Sequence, residues 1–341
     1  MRLSVLDQST TVTGRTPAES IRESLVLARH CEAAGYHRYW LAEHHSSASQ
    51  AGTAPEILMA AIAATTTRIR VGSAGVMLPH YSALKVAEVF RVLDAIAPGR
   101  IDMGLGRAPG SDGRTALALN PQAATAADQF PAMVRDVLAW TRGTALPEGH
   151  PFRDVHAEPT GPTVPEPWIL GSSAYGAQVA AYFGLPYCFA HFITDGQGAA
   201  EALDLYRDTY RPSEAFPEPL PALAVWAMAA EDDAAVAHHF ASRALWRLGR
   251  DRGVFTALPS PEEALAYAYS DAERRRVEHI RETALIGTGP VVAEKLARLG
   301  SALAVEEVAI LTTTHDQAVR RLSYSLIAAA SARHDLALAA E

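Results

Sequence analysis

The chain has 341 residues, of which 49% are hydrophobic, so it can bury a large core. Its formal net charge is −8 and its pI is about 5.9, which argues against a surface built for nucleic acid or for an anionic membrane. We expect the two cysteines, Cys31 and Cys188, to be reduced core residues rather than a disulfide. The sequence has no signal-peptide pattern and no apolar run that could span a bilayer, so we expect a cytoplasmic protein.

Short apolar segments alternate with amphipathic segments along nearly the whole chain, and their periodicity predicts eight strands, each followed by a helix. The first helix has start and stop signals, Thr16-Pro17 before it and Gly35 after it. The predicted strands are 3–6, 38–42, 69–74, 101–105, 168–171, 187–191, 222–229 and 307–311. The predicted helices are 18–34, 55–66, 82–97, 126–141, 174–183, 198–211, 233–248, 291–299 and 316–330.

This alternation calls for right-handed crossovers and a parallel sheet, and eight such units are typical of a (β/α)8 TIM barrel. We therefore predict a single α/β domain over residues 1–341. The alternation is interrupted at about residues 106–125, 143–167 and 249–287, which we interpret as insertions in the barrel. The last of them is predicted to contain polar helices of its own.

A carboxylate and two histidines, Glu43-His44-His45, stand where the second predicted strand ends in a polar loop. This end of a barrel strand carries the catalytic residues of the fold, and a histidine there can transfer protons near neutral pH. Only one of two adjacent imidazoles should face the barrel mouth, because neighbouring residues of an extended segment point in opposite directions. The alternative is a loop in which an imidazole is simply hydrogen-bonded to its surroundings. We reject a metal centre, because the i, i+4 spacing of a helical zinc site is missing.

Small residues and a cation follow the next strands. Gly72-Ser73-Ala74-Gly75 would leave a bare backbone against which a flat ring can lie, although crowded barrel strands also need small residues. Arg107 follows the fourth strand, and the segment 171–176 (GSSAYG) opens a helix, so the two together could bind an anion. Ordinary capping of the helix by Ser172 or Ser173 is the alternative. Gly104-Leu105-Gly106 is not a dinucleotide-binding motif, because it lacks the third glycine and the following acidic residue.

Another predicted strand ends at His191, next to Phe192, and either side chain could face a ligand at the barrel mouth. Trp226 and Met228 lie on the following strand and are weaker candidates, because large apolar residues at strand ends are often plain core.

Three segments in this order, Glu43-His44-His45, residues 71–79 (VGSAGVMLP) and residues 99–107 (GRIDMGLGR), make the chain closely similar to the bacterial luciferase-like flavin monooxygenases. The resemblance covers most of the chain and is firmest over the first 110 residues. It implies a luciferase-like TIM barrel that uses reduced flavin and O2.

The resemblance also implies roles for individual residues. His44 should face the flavin, with His45 and Glu43 in support, and Ala74–Gly75 should be a non-proline cis peptide beneath the isoalloxazine ring. Arg107 should hold the flavin phosphate together with the 171–176 segment, that is, Gly171, Ser172, Ser173 and Gly176, and His191 is a further candidate at the flavin edge. Three positions depart from luciferase: Gly75 replaces an alanine, Ser172 replaces a glutamate, and Gly106 replaces a reactive cysteine.

The function implied is an FMN-dependent, two-component monooxygenase that inserts one oxygen atom of O2 into a small organic substrate. A separate NAD(P)H:flavin reductase would supply reduced FMN (FMNH2), and luciferase-like barrels suggest a homodimer. A deazaflavin (F420)-dependent dehydrogenase and a non-catalytic flavin-binding protein remain alternatives. The composition, rich in alanine, arginine and proline, suggests tailoring of a polyketide or a similar specialised metabolite.

Overall fold

The structure is a computed structural model that describes residues 1–338, with the backbone alone for residues 335–338. Its strands are β1 (Arg2–Asp7), β2 (Arg38–Leu41), β3 (Arg70–Ser73), β4 (Val76–Met77), β5 (Ile101–Gly106), β6 (Glu166–Gly171), β7 (Tyr187–Phe189), β8 (Pro221–Ala230), β9 (Leu285–Thr288) and β10 (Glu307–Leu311). Its helices are α1 (Pro17–Ala33), α2 (Pro55–Thr65), α3 (Ala83–Ile96), α4 (Gly113–Leu119), α5 (Ala123–Asp128), α6 (Phe130–Arg142), α7 (Ala174–Phe183), α8 (His191–Thr194), α9 (Ala199–Asp208), α10 (Asp233–Asp251), α11 (Pro261–Ala266), α12 (Asp271–Thr283), α13 (Gly289–Ala302) and α14 (Gln317–Leu338). A 3-10 turn covers Leu78–His80.

Eight of the strands form a closed parallel barrel. Their order is β1-β2-β3-β5-β6-β7-β8-β10, and β10 pairs with both β8 and β1 to close the ring. The prediction of a (β/α)8 barrel is therefore confirmed. The strands were recognisable because a parallel sheet covered by helices is buried on both faces, so its strands read as nearly continuous apolar runs.

The apolar core has two layers. Between the sheet and the helices lie side chains such as Tyr39, Phe90 and Ile310, all at most 1% exposed. Inside the barrel, Trp40 and Trp168 meet edge-on with ring centroids 5.0 Å apart. Large side chains therefore fill the middle of the barrel interior.

A buried ion network closes the end of the barrel at which the strands begin. The Arg38 side chain is 4% exposed, and it donates hydrogen bonds to Glu307 (2.8 Å), Asp102 (2.9 Å) and Glu166 (2.9 Å). Arg70 donates a further bond of 2.8 Å to Asp102. These residues stand at or near the first positions of β2, β3, β5, β6 and β10, so the network lies opposite the mouth of the barrel.

The interruptions are more ordered than the sequence suggests. Residues 106–125, predicted as an insertion, contain α4 and the start of α5. Residues 249–287 contain α11 and α12 as expected, but they also lead into β9, which extends the sheet beside β8. The predicted strand 187–191 is too long, because β7 ends at Phe189 and His191 begins α8. Within residues 1–338, no helix is long and apolar enough to cross a membrane.

Candidate active site

A cavity of about 280 Å³ opens at the C-terminal ends of the barrel strands. It gathers side chains and backbone from β1, β2, β5, β6 and the loops that follow them, positions that are far apart in the sequence. The predicted site residues that line it are His44, Ala74, Gly75, Arg107, Gly171, Ser172, Ser173 and Gly176. Glu43, His45 and His191 are not among the residues that line this cavity.

His44 faces the cavity with an unsatisfied ring. Its backbone N–H donates to Gly52 O (2.9 Å), which fixes the segment, but its Nδ1 is enclosed and has no hydrogen-bond partner among the described residues. Burial, with smaller contributions from the positive charges of Arg250 and His45, lowers the pKa of His44 to about 4. The imidazole is therefore neutral at pH 7, and it can accept or donate one hydrogen bond to a bound group.

Glu43 and His45 lie behind His44 and support the loop. The fully buried Glu43 carboxylate accepts hydrogen bonds from His45 Nε2 (2.7 Å), the Tyr81 hydroxyl (2.6 Å) and the Met77 backbone N–H (2.9 Å). His44 lines the cavity and His45 does not, so one imidazole faces the barrel mouth and the other points away, as expected. Tyr81 was missed from the sequence, because nothing local marks a tyrosine 38 residues away as the partner of Glu43.

The floor of the cavity near β3 consists of small residues. The Ala74–Gly75 peptide is cis, as the resemblance implied. A Cβ atom at Gly75 would come within 2.8 Å of Gly104 O and of Leu170 Cδ1. Glycine is thus required by the close approach of the neighbouring strand, and a side chain at Gly75 would collide with the barrel wall rather than project toward a ligand.

The other end of the cavity is suited to an anion. The guanidinium of Arg107 lies 4.0 Å from the ring centroid of Tyr175, on an exposed stretch after β5. Ser173 stands at the N-cap of the ten-residue helix α7, but within the described chain its side chain makes no capping hydrogen bond. Ordinary side-chain capping, the alternative considered above, is therefore not observed. The hydroxyl groups and the N–H groups of the first helical turn remain available to a ligand.

His191 does not occupy the position expected of it. As the first residue of α8, it packs its ring against Gly196, and burial lowers its pKa. Its neighbours Ala190, Phe192 and Ile193 line the cavity instead. His191 lies away from the cavity because one helical turn directly after β7 gives its residues directions that differ from those of a continued strand.

A second cavity, of about 220 Å³, adjoins the first. The two share Gln8, Phe192 and Ile193 as walls. The second is further lined by Arg243, Trp246, Arg247, Arg250, Asp251, Phe255 and Leu311. The sequence held a signal for this basic wall, since arginines at 243, 247 and 250 follow the i, i+4, i+7 spacing of one helix face.

Comparison with protein families adds independent information. A family model described as luciferase-like monooxygenase matches residues 1–306. A protein of Bacillus subtilis (strain 168), named N-acetyl-S-alkylcysteine monooxygenase, is 34% identical over 327 residues, which is 96% of this chain and 97% of that protein.

Solved structures are similar over nearly the full length. The crystal structure of apo-MsnO8 matches with a TM-score of 0.87 and 38% identity, covering 96% of this chain and 98% of that one. The oxygenating constituent of 3,6-diketocamphane monooxygenase from Pseudomonas putida, in complex with FMN, matches with a TM-score of 0.68 at 18% identity over 96% of each chain. An F420-dependent secondary alcohol dehydrogenase matches with a TM-score of 0.67 at 13% identity, covering 97% of this chain and 98% of that one. At such identities, these last two matches support the fold alone.

Proposed function

This chain belongs to the luciferase-like monooxygenase family and is a flavin-dependent monooxygenase, and we propose that its flavin is reduced FMN. The observation that carries the proposal is what one cavity brings together. It contains a neutral His44, whose Nδ1 has no partner among the described residues, and Arg107 with the start of α7, which would suit an anion. A phosphate-bearing cofactor would satisfy both features at once.

The residues present fit FMN. Arg107, Ser172 and Ser173 would hold its phosphate, since a guanidinium and a helix N-terminus both favour bound anions. The small residues Ala74 and Gly75 leave room for a flat ring beside Leu170. When bound, reduced FMN supplies two electrons to O2, so that one oxygen atom enters the substrate and the other leaves as water.

His44 would act at the reacting end of the cavity. Because it is neutral at pH 7, its ring can hold a hydrogen bond to a bound oxygen atom and can accept or release a proton there without adding a permanent charge. Glu43 would act as a positioning residue, since it holds His45 and the loop that carries His44.

The remaining walls would keep water away from the reaction. Apolar side chains surround the cavity, among them Leu6, Trp40, Met77, Phe130, Ile169, Leu170 and Phe192. Water exclusion strengthens polar interactions within a site and protects reactive oxygen species from unproductive breakdown.

We further propose that a separate NAD(P)H:flavin reductase supplies the reduced FMN. The support is in the sequence, where Gly104-Leu105-Gly106 lacks the rest of a dinucleotide-binding motif. The substrate would be a small organic molecule. N-acetyl-S-alkylcysteines are the first compounds to test, because the name of the Bacillus relative contains them.

The test is a reductase-coupled assay under ¹⁸O2 with FMN, and in parallel a titration with FMN, F420 and riboflavin. One ¹⁸O atom in the product, with FMN bound more tightly than the other two cofactors, would support the proposal. Tighter binding of F420 with substrate dehydrogenation would replace it by the deazaflavin alternative. FMN binding with no substrate-dependent oxygen consumption across a broad panel would instead favour a non-catalytic flavin-binding protein.

A further inference from the structure

Arg243 is a buried cation without an acidic partner. It is 7% exposed, and within the described chain neither a hydrogen bond nor an ion pair joins it to another residue. Its guanidinium carbon lies 5.0 Å from the ring centroids of both Trp226 and Trp246. Aromatic faces offset part of the cost of burying a cation, but they do not accept conventional hydrogen bonds from the guanidinium, whose side chain lines the second cavity.

The nearby carboxylates are already engaged elsewhere. Asp195 accepts two hydrogen bonds from Arg247, at 2.8 and 3.1 Å. Asp251 accepts one from Arg247 (3.1 Å) and one from Arg276 (2.8 Å). The positive charge on this wall of the second cavity therefore exceeds the negative charge. Burial, together with the charges of Arg247 and Arg250, lowers the pKa of Arg243 to about 9, so the guanidinium is still protonated at pH 7.

Arg250 is a second cation on the same wall. It is half-buried, with its guanidinium 4.8 Å from the Trp246 ring and 5.0 Å from the Phe255 ring, and among the described residues no carboxylate pairs with it. Its charge contributes to the lowered pKa of His44 in the adjoining cavity. Arg250 is thus close enough to the proposed reaction site for its charge to act there.

We propose that the substrate carries a carboxylate, which binds Arg243 and Arg250 in the second cavity while the atom to be oxidised lies beside His44 in the first. A carboxylate matches the fork of a guanidinium and would supply the acceptors that this wall lacks. The shared walls at Gln8, Phe192 and Ile193 allow one elongated molecule to reach both cavities. The placement of the oxidised atom beside His44 rests on the proposed function. The binding of a carboxylate by Arg243 and Arg250 does not.

The experiment compares an acid with its own neutral ester. N-acetyl-S-benzylcysteine and its methyl ester are titrated into the full-length protein with oxidised FMN, by calorimetry and by tryptophan fluorescence. Fluorescence reports directly, because Trp226 and Trp246 contact Arg243. We expect the acid to bind about 10–100-fold more tightly than the ester, the usual worth of a charge-assisted hydrogen bond in a buried site.

Three variants locate the effect. In Arg243→Gln and, separately, in Arg250→Gln, the preference for the acid should fall to within about threefold, while FMN affinity is unchanged. Arg252→Gln is the matched control, because Arg252 stands in the same segment with a side chain 51% exposed, paired with Glu273. This control should keep the full preference for the acid. Arg243→Gln should unfold at a temperature no lower than the wild type, because it removes an uncompensated buried charge.

The outcomes separate this inference from the proposed function. Equal binding of acid and ester by the wild type, or an undiminished preference in both arginine variants, overturns the carboxylate site. Loss of FMN binding in Arg243→Gln would also overturn it, since the cation would then serve the cofactor. Acid-selective binding without any oxygenation of the acid would leave the carboxylate site standing and would count against the monooxygenase proposal.

Discussion

Replacing His44 with glutamine should make the protein more resistant to acid. The pKa of this histidine is about 4 in the folded chain and about 6.5 when unfolded, so between these values the unfolded state binds a proton that the folded state does not. Stability is therefore lost as the pH falls through this window. The difference between the two pKa values corresponds to about 3 kcal/mol in the free energy of unfolding. Lowering the pH from 8 to 5 should reduce that free energy by about 2 kcal/mol through His44 alone.

The assay is urea denaturation of the flavin-free protein at pH 8 and pH 5, followed by tryptophan fluorescence. The His44→Gln variant should lose about 2 kcal/mol less than the wild type between the two pH values, because glutamine does not titrate. His156→Gln serves as the control, since it makes the same change at an exposed position. An equal acid-induced loss in the wild type and in His44→Gln would refute the claim that the cavity holds His44 neutral.

Three further predictions concern catalysis, cofactor and assembly. His44→Ala should retain FMN but lose product formation by about 10²–10⁴-fold, with O2 consumed to hydrogen peroxide instead, as a product assay alongside peroxide detection would show. Near-normal coupling of O2 to product would contradict this. Arg107→Ala should weaken FMN binding by about tenfold and leave riboflavin binding unchanged in a fluorescence titration; the loss is modest because Arg107 is exposed, and equal wild-type affinities for FMN and riboflavin would contradict the phosphate site. We also expect a homodimer formed through α2 and α3, where Ile57 is 67% exposed and Ile96 48%; Ile57→Glu should then give a monomer by light scattering, and a monomeric wild type at micromolar concentration would count against the dimer.

The barrel was predictable because its signals are local. Each parallel strand is an apolar run, and helix ends such as Thr16-Pro17 and Gly35 carry their own capping chemistry. Where a local signal was weak, the prediction failed. The four residues of β9 follow a polar helix and form a strand only because β8 extends far enough to pair with them.

The candidate site was predictable in part, for a different reason. His44, Arg107 and Ser172 stand at strand ends, and the fold itself brings strand ends together. Arg243 lies inside a long amphipathic helix, where a basic face ordinarily points to solvent. The i, i+4, i+7 spacing marks the arginines of α10 as one face of the helix, but it does not show that the packing of α10 against β8, beside Trp226, turns that face inward.

The ion network around Arg38 limits how ligands can enter and leave the barrel. Because charged side chains and the paired rings of Trp40 and Trp168 fill the barrel from its far end, a molecule cannot pass along the barrel axis from one end to the other. A substrate bound in the second cavity, as we propose, would then lie beside the cavity proposed for the flavin, because the two cavities share Gln8, Phe192 and Ile193. With substrate and FMN bound as proposed, we expect the oxygenated product to leave before the oxidised flavin is replaced.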